Sequence, residues 1–483
     1  MTSITQSDTV GKSYTPTPSL EGVRSGVAVA KPRSNDQRPR SGSLGNTEVN
    51  EQQQDKRSKI LWGLQRTLWE VTAIPRLRGC HRWLAPGAGQ TTVRWRVGEA
   101  RWGGTQNSRS VWASPIAASR IARLRTEEVR KAVESWFDQG KNHGVVFVTL
   151  TVRHHKGQSL QELWDAITAC WEAVTRTAAW RGGARAVGDK NRFGIEHFIK
   201  SVEVTHGENG WHVHIHALFL TTSCLSDDER EDLRSRVFSR WARAAKRNGL
   251  SAPSAARGVR VDDAARRADS KKIGSYLAKG QMGSLAAEIT GAISKKGRKE
   301  SRTPFEILND LSVRKTPKDL ALWREWERVS SGRRQISWSR GAKKCLGVDD
   351  LDDAELLNKD DEEFDAASVD LVGIDAIDWH AETARGESLC DDVELRNQVL
   401  KVARSATSRY EAISQVKQVL RDNAVNFRVL DSEVTSRKGI ELSREEIRHR
   451  RRQEARGILE IGQAQVKKDH CHVEQGTQLV LGQ

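Results

Sequence analysis

Nine residues, His212-Val213-His214-Ile215-His216-Ala217-Leu218-Phe219-Leu220, constrain the fold more than any other stretch of this chain. Three of the protein's 13 histidines fall within five positions, each separated by one apolar residue. Side chains alternate between the faces of a β-strand, so His212, His214 and His216 share one face while Val213 and Ile215 point to the other. The apolar exit Ala217-Leu218-Phe219 marks the strand as part of a buried sheet. An isolated strand histidine is usually an ordinary packed side chain. Three in alternation can bring imidazole nitrogens onto one divalent cation, and that is the reading adopted.

The strand before it runs from Ile195 to Thr205, and Gly207-Glu208-Asn209-Gly210 between them is a hairpin signal, with Asn-Gly suited to a tight turn. A loop of two or four residues would set Glu203 opposite His216 or His214 on the histidine face, whereas a three-residue loop would break that parity. A carboxylate beside two imidazoles is a reasonable further ligand for Mg²⁺ or Mn²⁺. His206, near the turn, competes for that place.

The neighbouring elements follow from periodicity. Pro115 to about Asp138 reads as a helix, Val145–Val152 as a strand of mostly β-branched residues, and 159–180 as an amphipathic helix. Ser226-x-x-Glu229 is a capping box for a helix to about Arg247. A short basic strand, Val259-Arg260-Val261, precedes a helix expected over Ala264–Lys279. A further helix is expected over Leu320–Val329, then a basic strand over Arg333–Gly341. These elements define five regions: a disordered tail (1–58), a Trp/Arg-rich region (59–125), a catalytic domain (126–345), an acidic linker (346–394) and a charged helical appendage (395–483). The expected fold class is α+β, a central antiparallel sheet flanked by helices. The acidic run Asp349–Asp365 is expected to be a solvated linker.

Composition narrows the partner. Seventy-nine Lys and Arg against 63 Asp and Glu give a net charge of +16, which favours an anionic polymer and nucleic acid first. Trp62, Trp69, Trp83, Trp95, Trp102 and Trp112 stand among arginines; such interleaving suits base stacking, although most of these rings are expected in a core. No apolar run approaches the roughly 20 residues needed to span a bilayer, the first 58 residues lack a signal-like apolar region, and the six cysteines form no CxxC pair. A cytoplasmic protein without a membrane partner is expected. Gly11-Lys12-Ser13 lacks the upstream glycine of a phosphate-binding loop, so ATP is not expected as a cofactor.

Only three tyrosines occur, and Tyr276 alone sits in a lysine-rich helix, with Lys272 before it and Lys279 at i+3. A phenol is a poor nucleophile at its ordinary pKa of about 10, so cations beside it would have to favour phenolate-like attack. The bland alternative is an amphipathic residue at a core edge.

The strand Phe147-Val148-Thr149-Leu150-Thr151, the block from Glu203 to His216 and the segment Tyr276-Leu277-Ala278-Lys279 stand in that order. Together they resemble the rolling-circle replication initiators of actinobacterial plasmids, within the wider class of HUH (His-hydrophobe-His) endonucleases. The likeness spans about residues 76–345 and includes Trp323 and Trp338-Ser339-Arg340-Gly341. It implies a metal, Mg²⁺ or Mn²⁺, held by His214 and His216, with His212 and Glu203 as further candidates. It implies Tyr276 as the nucleophile that keeps a 5′-phosphate and releases a 3′-hydroxyl primer, and Lys279 as the neutralising cation. Arg153, Lys272 and Arg340 would contact DNA. The implied partners are origin DNA, double-stranded and as the displaced single strand, a host helicase and polymerase, and a possible second copy of the chain. Relatives place zinc-binding cysteines where this sequence has Ser108, Ser114 and Ala117, so no structural zinc is expected beside Cys80 and His81. Some initiators carry a glutamate where Lys272 stands, which leaves termination to another base. A conjugative relaxase or single-strand transposase would share this chemistry, and a non-catalytic DNA-binding repressor is the alternative from a different class. An RNA-binding protein would fit the charge and leave the histidines unexplained.

Overall fold

A computed structural model describes residues 44–108, 110, 112–265 and 301–430. The elements around the histidine stretch form a five-stranded antiparallel sheet of order β6-β3-β5-β4-β7. Its strands are β3 (Gly144–Thr151), β4 (Ile195–Gly207), β5 (Gly210–Thr221), β6 (Val259–Ala265) and β7 (Ile336–Trp338). The loop between β4 and β5 has two residues, Glu208 and Asn209, so Gly207 pairs with Gly210 and Glu203 with His214. Gly210 takes φ +85°, a left-handed conformation that glycine adopts without strain, and an added Cβ would press to 3.2 Å from the Lys156 backbone.

The two faces of this sheet are chemically unlike. Val146, Val148 and Leu150 of β3 and Val213, Ile215 and Phe219 of β5 face the main core. Helices α3 (Leu160–Thr175), α4 (Asp227–Arg247), α5 (Pro304–Val313) and α6 (Pro317–Ser330) contribute to that core. Capping boxes at Ser159, Ser226 and Thr303 fix the starts of α3, α4 and α5. On the other face, helix α2 (Pro115–Gln139) lays Val129, Ala132, Val133 and Trp136 against Val145, Ile199, Leu218 and Leu220. That contact covers one end of the face. His214 and His216 stand at the other.

A second sheet lies outside the expected catalytic region. Strands β1 (Gln90–Arg96) and β2 (Glu99–Gly103) form a hairpin, and β1 also pairs with β8 (Val369–Asp375), which pairs with β9 (Arg428–Val429). Val93 and Trp95 pack with Leu371, Val372 and Ile374, and with α8 (Val393–Ser405) and α9 (Arg409–Asp422). Helix α1 (Leu44–Val71) serves both cores: Leu64, Leu68 and Val71 enter the first, Trp62 and Trp69 the second.

Three expectations are corrected here. Helical structure begins at Leu44, inside the stretch expected as a tail. Residues Val259–Ala265 form one strand, so the helix expected from Ala264 does not start there; its remainder, with Lys272, Tyr276 and Lys279, lies outside the described residues. The acidic stretch is not a solvated linker. Asp352 caps helix α7 (Asp353–Ala367), and β8 follows. The cause is charge pairing: Asp360 meets Arg101, Arg120 and Arg123, Asp365 meets Arg94, and Asp353 meets Arg125. Among the described residues no helix is long and apolar enough to cross a membrane.

Candidate metal centre

The two-residue turn determines the site. It places Glu203 directly across from His214, and His216 two residues further along the same face. His214 Nε2 and His216 Nε2 stand 3.0 and 2.9 Å from Glu203 Oε2, and 3.0 Å from each other. The two histidines are 9% and 8% exposed, so these polar tips meet in a largely dry setting. Burial alone would raise the Glu203 pKa, but hydrogen bonds and charge from His214 and His216 outweigh it and hold the carboxyl at about 2. The carboxylate is therefore ionised throughout the physiological range.

Neighbours fix the His216 imidazole. Thr149 of β3 pairs with His216 across the strands, and its Oγ1 lies 3.2 Å from His216 Nδ1. Phe147 stacks on the same ring at 5.2 Å. When Nδ1–H donates to the Thr149 hydroxyl, Nε2 is left as the lone-pair donor. Thr149 was not singled out from the sequence. The available signal was the alternation Thr149-x-Thr151 on a strand that pairs with the histidine strand.

The other candidates separate from this cluster. His212 stays on the correct face but one row nearer the turn, opposite Thr205. It stacks between His154 and His214, each at 4.9 Å, and is not part of the ligand cluster. Burial, then the neighbouring His214 and His154, pull its pKa down to about 4, so it is a neutral ring at pH 7. His206 packs edge-on against Trp211 at 5.0 Å and bridges to Arg302 through the backbone; it too is outside the cluster. Arg153 is exposed just beyond β3, at the turn end of the sheet. Arg340 is exposed past β7, where Ser339 bonds Phe198, so it lies about 15–20 Å along β4 from Glu203. Cys80 is buried; it accepts from the Ser108 amide at 3.3 Å, and its Sγ lies 3.7 Å from Ser114 Oγ. Ala117 is buried as well.

The triad's chemistry fits a small divalent cation. Three donor atoms about 3.0 Å apart match one face of an octahedron whose bonds are about 2.1 Å, the spacing Mg²⁺ requires. Two imidazole nitrogens in contact cannot both direct a proton at each other, and a shared cation removes that conflict. Glu203, His214 and His216 would hold the ion, with a mixed nitrogen and oxygen donor set suited to Mg²⁺ or Mn²⁺.

Comparison with known proteins gives the family. Residues 109–385, more than half of the chain, match the model of the replication protein family. The chain is 28% identical over 363 residues to "Protein rep" of Streptomyces lividans, covering 63% of this chain and 78% of that relative. It is 30% identical over 189 residues to a protein of Streptomyces cyanogenus named "Neomycin resistance protein", covering 33% of this chain and 43% of that protein. No solved structure matches the chain. The family match contains β3 to β7 and the whole Glu203–His214–His216 cluster, and the chain belongs to the replication protein family.

Proposed function

We propose that this protein initiates rolling-circle replication of a plasmid by nicking one strand at the origin, as a cytoplasmic HUH-type endonuclease and strand transferase. The observation that carries the reading is the convergence of Glu203, His214 and His216 on one face of an antiparallel sheet. A divalent cation bound there supplies Lewis-acid polarisation of a phosphoryl oxygen. Tyr276 Oη attacks the phosphorus and displaces the 3′-oxygen of the preceding nucleotide, which takes up a proton. One phosphodiester is exchanged for a 5′-phosphotyrosyl ester and a free 3′-hydroxyl that primes synthesis. Lys279 offsets charge on the tyrosyl or phosphate oxygen, and His212 keeps a neutral wall beside His214. Rejoining reverses the exchange: a 3′-hydroxyl attacks the phosphotyrosine and frees Tyr276. The bond energy is conserved in the ester, so no ATP is consumed by the protein. Arg153, Lys272 and Arg340 contact DNA, and a host helicase and polymerase extend the primer.

The test is a nicking assay on supercoiled DNA carrying the cognate origin, with Mg²⁺, Mn²⁺ or EDTA, beside Tyr276→Phe. Metal-dependent relaxation with protein on the 5′ end, lost in Tyr276→Phe, is the expected result. Nicking that survives Tyr276→Phe would remove the nucleophile assignment. Origin binding with no nicking in either metal would favour a non-catalytic repressor.

A further inference from the structure

Two hydroxyl side chains flank His216 across the sheet, and only one of them is used. On the β3 side Thr149 Oγ1 is engaged, 3.2 Å from His216 Nδ1. On the β4 side stands Ser201, the register partner of His216 and two residues before Glu203, so it shares the face of the Glu203–His214–His216 cluster. Ser201 is 1% exposed, and its Oγ is buried without a hydrogen-bond partner among the described residues. Its other same-face neighbours in the sheet are Ile199, two residues back on β4, and Ile336, its register partner on β7. Neither side chain carries a polar atom that could satisfy a hydroxyl.

A buried hydroxyl left unsatisfied costs roughly 1–3 kcal/mol, a cost that alanine at the same place would avoid. Within the sheet, Ser201 has polar side chains on the sides of His216 and Glu203 alone, and both belong to the metal cluster. A small divalent cation held by three protein donors keeps several water molecules. The ion polarises each of them, and their outward protons call for acceptors fixed in the surrounding protein. Ser201 Oγ is such an acceptor, level with His216 and on the opposite side of it from Thr149. Thr221 supplies a contrast. Its Oγ1 is also buried and without a partner among the described residues, but it ends β5 and points to the other face of the sheet.

We propose that Ser201 anchors the hydrated cation: its hydroxyl accepts a hydrogen bond from a water of the hydration shell of the ion held by Glu203, His214 and His216. Ser201 is a positioning residue, acting through that water and touching no reacting atom. The proposal rests on the metal-centre part of the nickase reading and adds to it a residue outside the ligand cluster. It also gives the buried, unpartnered hydroxyl a function that alanine could not supply.

The experiment titrates full-length protein with Mn²⁺, follows the free ion by its electron paramagnetic resonance signal, and records the thermal midpoint separately in EDTA. Wild type is compared with Ser201→Ala, with Ser201→Thr, which keeps a hydroxyl on the same carbon, and with Thr221→Val as a control for deleting a buried hydroxyl. Ser201→Ala is expected to weaken Mn²⁺ binding about tenfold. Its midpoint in EDTA should stay at or above that of wild type, because an unsatisfied group has been removed. Ser201→Thr and Thr221→Val should both bind Mn²⁺ as wild type does. Unchanged Mn²⁺ affinity in Ser201→Ala overturns the proposal. A loss matched by a fall of the midpoint in EDTA, or shared by Ser201→Thr or Thr221→Val, assigns the effect to packing and overturns it as well. Wild type that binds no Mn²⁺ would remove the metal centre and this role together, whereas wild-type binding equalled by Ser201→Ala removes this role alone. Absent nicking with the Mn²⁺ pattern intact would remove the nickase and keep the anchor.

Discussion

The two sheets of this protein are assembled from the chain in opposite ways. In the five-stranded sheet β4 and β5 form a hairpin with a two-residue loop, and its register brings Glu203, His214 and His216 together. In the four-stranded sheet the central pair, β1 and β8, joins segments on either side of the whole first sheet. The first needs only alternation and a turn to be specified. The second needs distant partners: tryptophans from α1 and β1, acidic side chains of α7 against arginines of β1, β2 and α2, and a buried arginine. That arginine, Arg396, lies among the rings of Trp62, Trp102 and Trp379, 4.4, 5.7 and 4.8 Å from their centres. The candidate metal cluster therefore sits on the locally determined sheet, and long-range closure on the other.

If that division is real, damage to one sheet should spare the other. The largest effect is expected at the cluster. Glu203→Gln or His216→Ala should lower metal-dependent nicking on the order of 1,000-fold while leaving the near-ultraviolet circular dichroism of the tryptophans buried in both cores unchanged. A loss of that signal together with activity would mean the sheets are coupled.

The converse variant is Arg396→Ala. It leaves a void among three indoles and should destabilise the protein by about 3 kcal/mol in chemical denaturation, with nicking per folded molecule preserved. Burial depresses the Arg396 pKa to about 9, which nearby Cys390, Asp391 and Asp392 only partly offset. A buried guanidinium held mainly by ring faces is weak evidence of stability, so Arg396→Met is expected to cost less than the alanine change.

A subtler test stays within the first sheet. Thr149→Val keeps shape and removes the hydroxyl at 3.2 Å from His216 Nδ1; metal affinity should fall about tenfold, and Thr149→Ser should restore it. Equal affinities for Val and Thr would show that the register alone orients the ring.

The smallest effect is a pH dependence in the second region. Burial would raise the Asp360 pKa, but the hydrogen bond from Arg120 and the charges of Arg101, Arg120 and Arg123 hold it at about 2. Its folded value is thus below the ordinary carboxylate value of about 3.9, so its stabilisation is complete above about pH 4 and is lost as pH falls through about 2. Asp360→Asn should flatten that part of the stability profile without altering the profile of nicking at neutral pH.

The sequence exposed the first sheet because its signals are local. The period of two at His212, His214 and His216, with Asn209-Gly210 as a turn, puts Glu203 on the histidine face for a loop of two or four residues, and the loop has two. The same alternation also gathers His212, which lies outside the three-residue cluster. His212 shares the face, but Glu203 sits level with His214 and reaches forward to His216, leaving His212 behind toward the turn. The acidic stretch was misread for a different reason. A run of carboxylates is solvated only when no counter-charge awaits it, and here the arginines stand more than 200 residues upstream.

The union of β1 with β8 also has a consequence during protein synthesis. The ribosome releases β1 roughly 270 residues before it releases β8, a delay on the order of 15–55 s at 5–20 residues per second. Through that interval Val93 and Trp95 wait on a hairpin with one edge unpaired, while every described strand of the histidine sheet is translated. The nascent chain would thus carry the described strands of the histidine sheet beside an adhesive, half-made one, and a chaperone or slow aggregation would compete for the latter until β8 emerges.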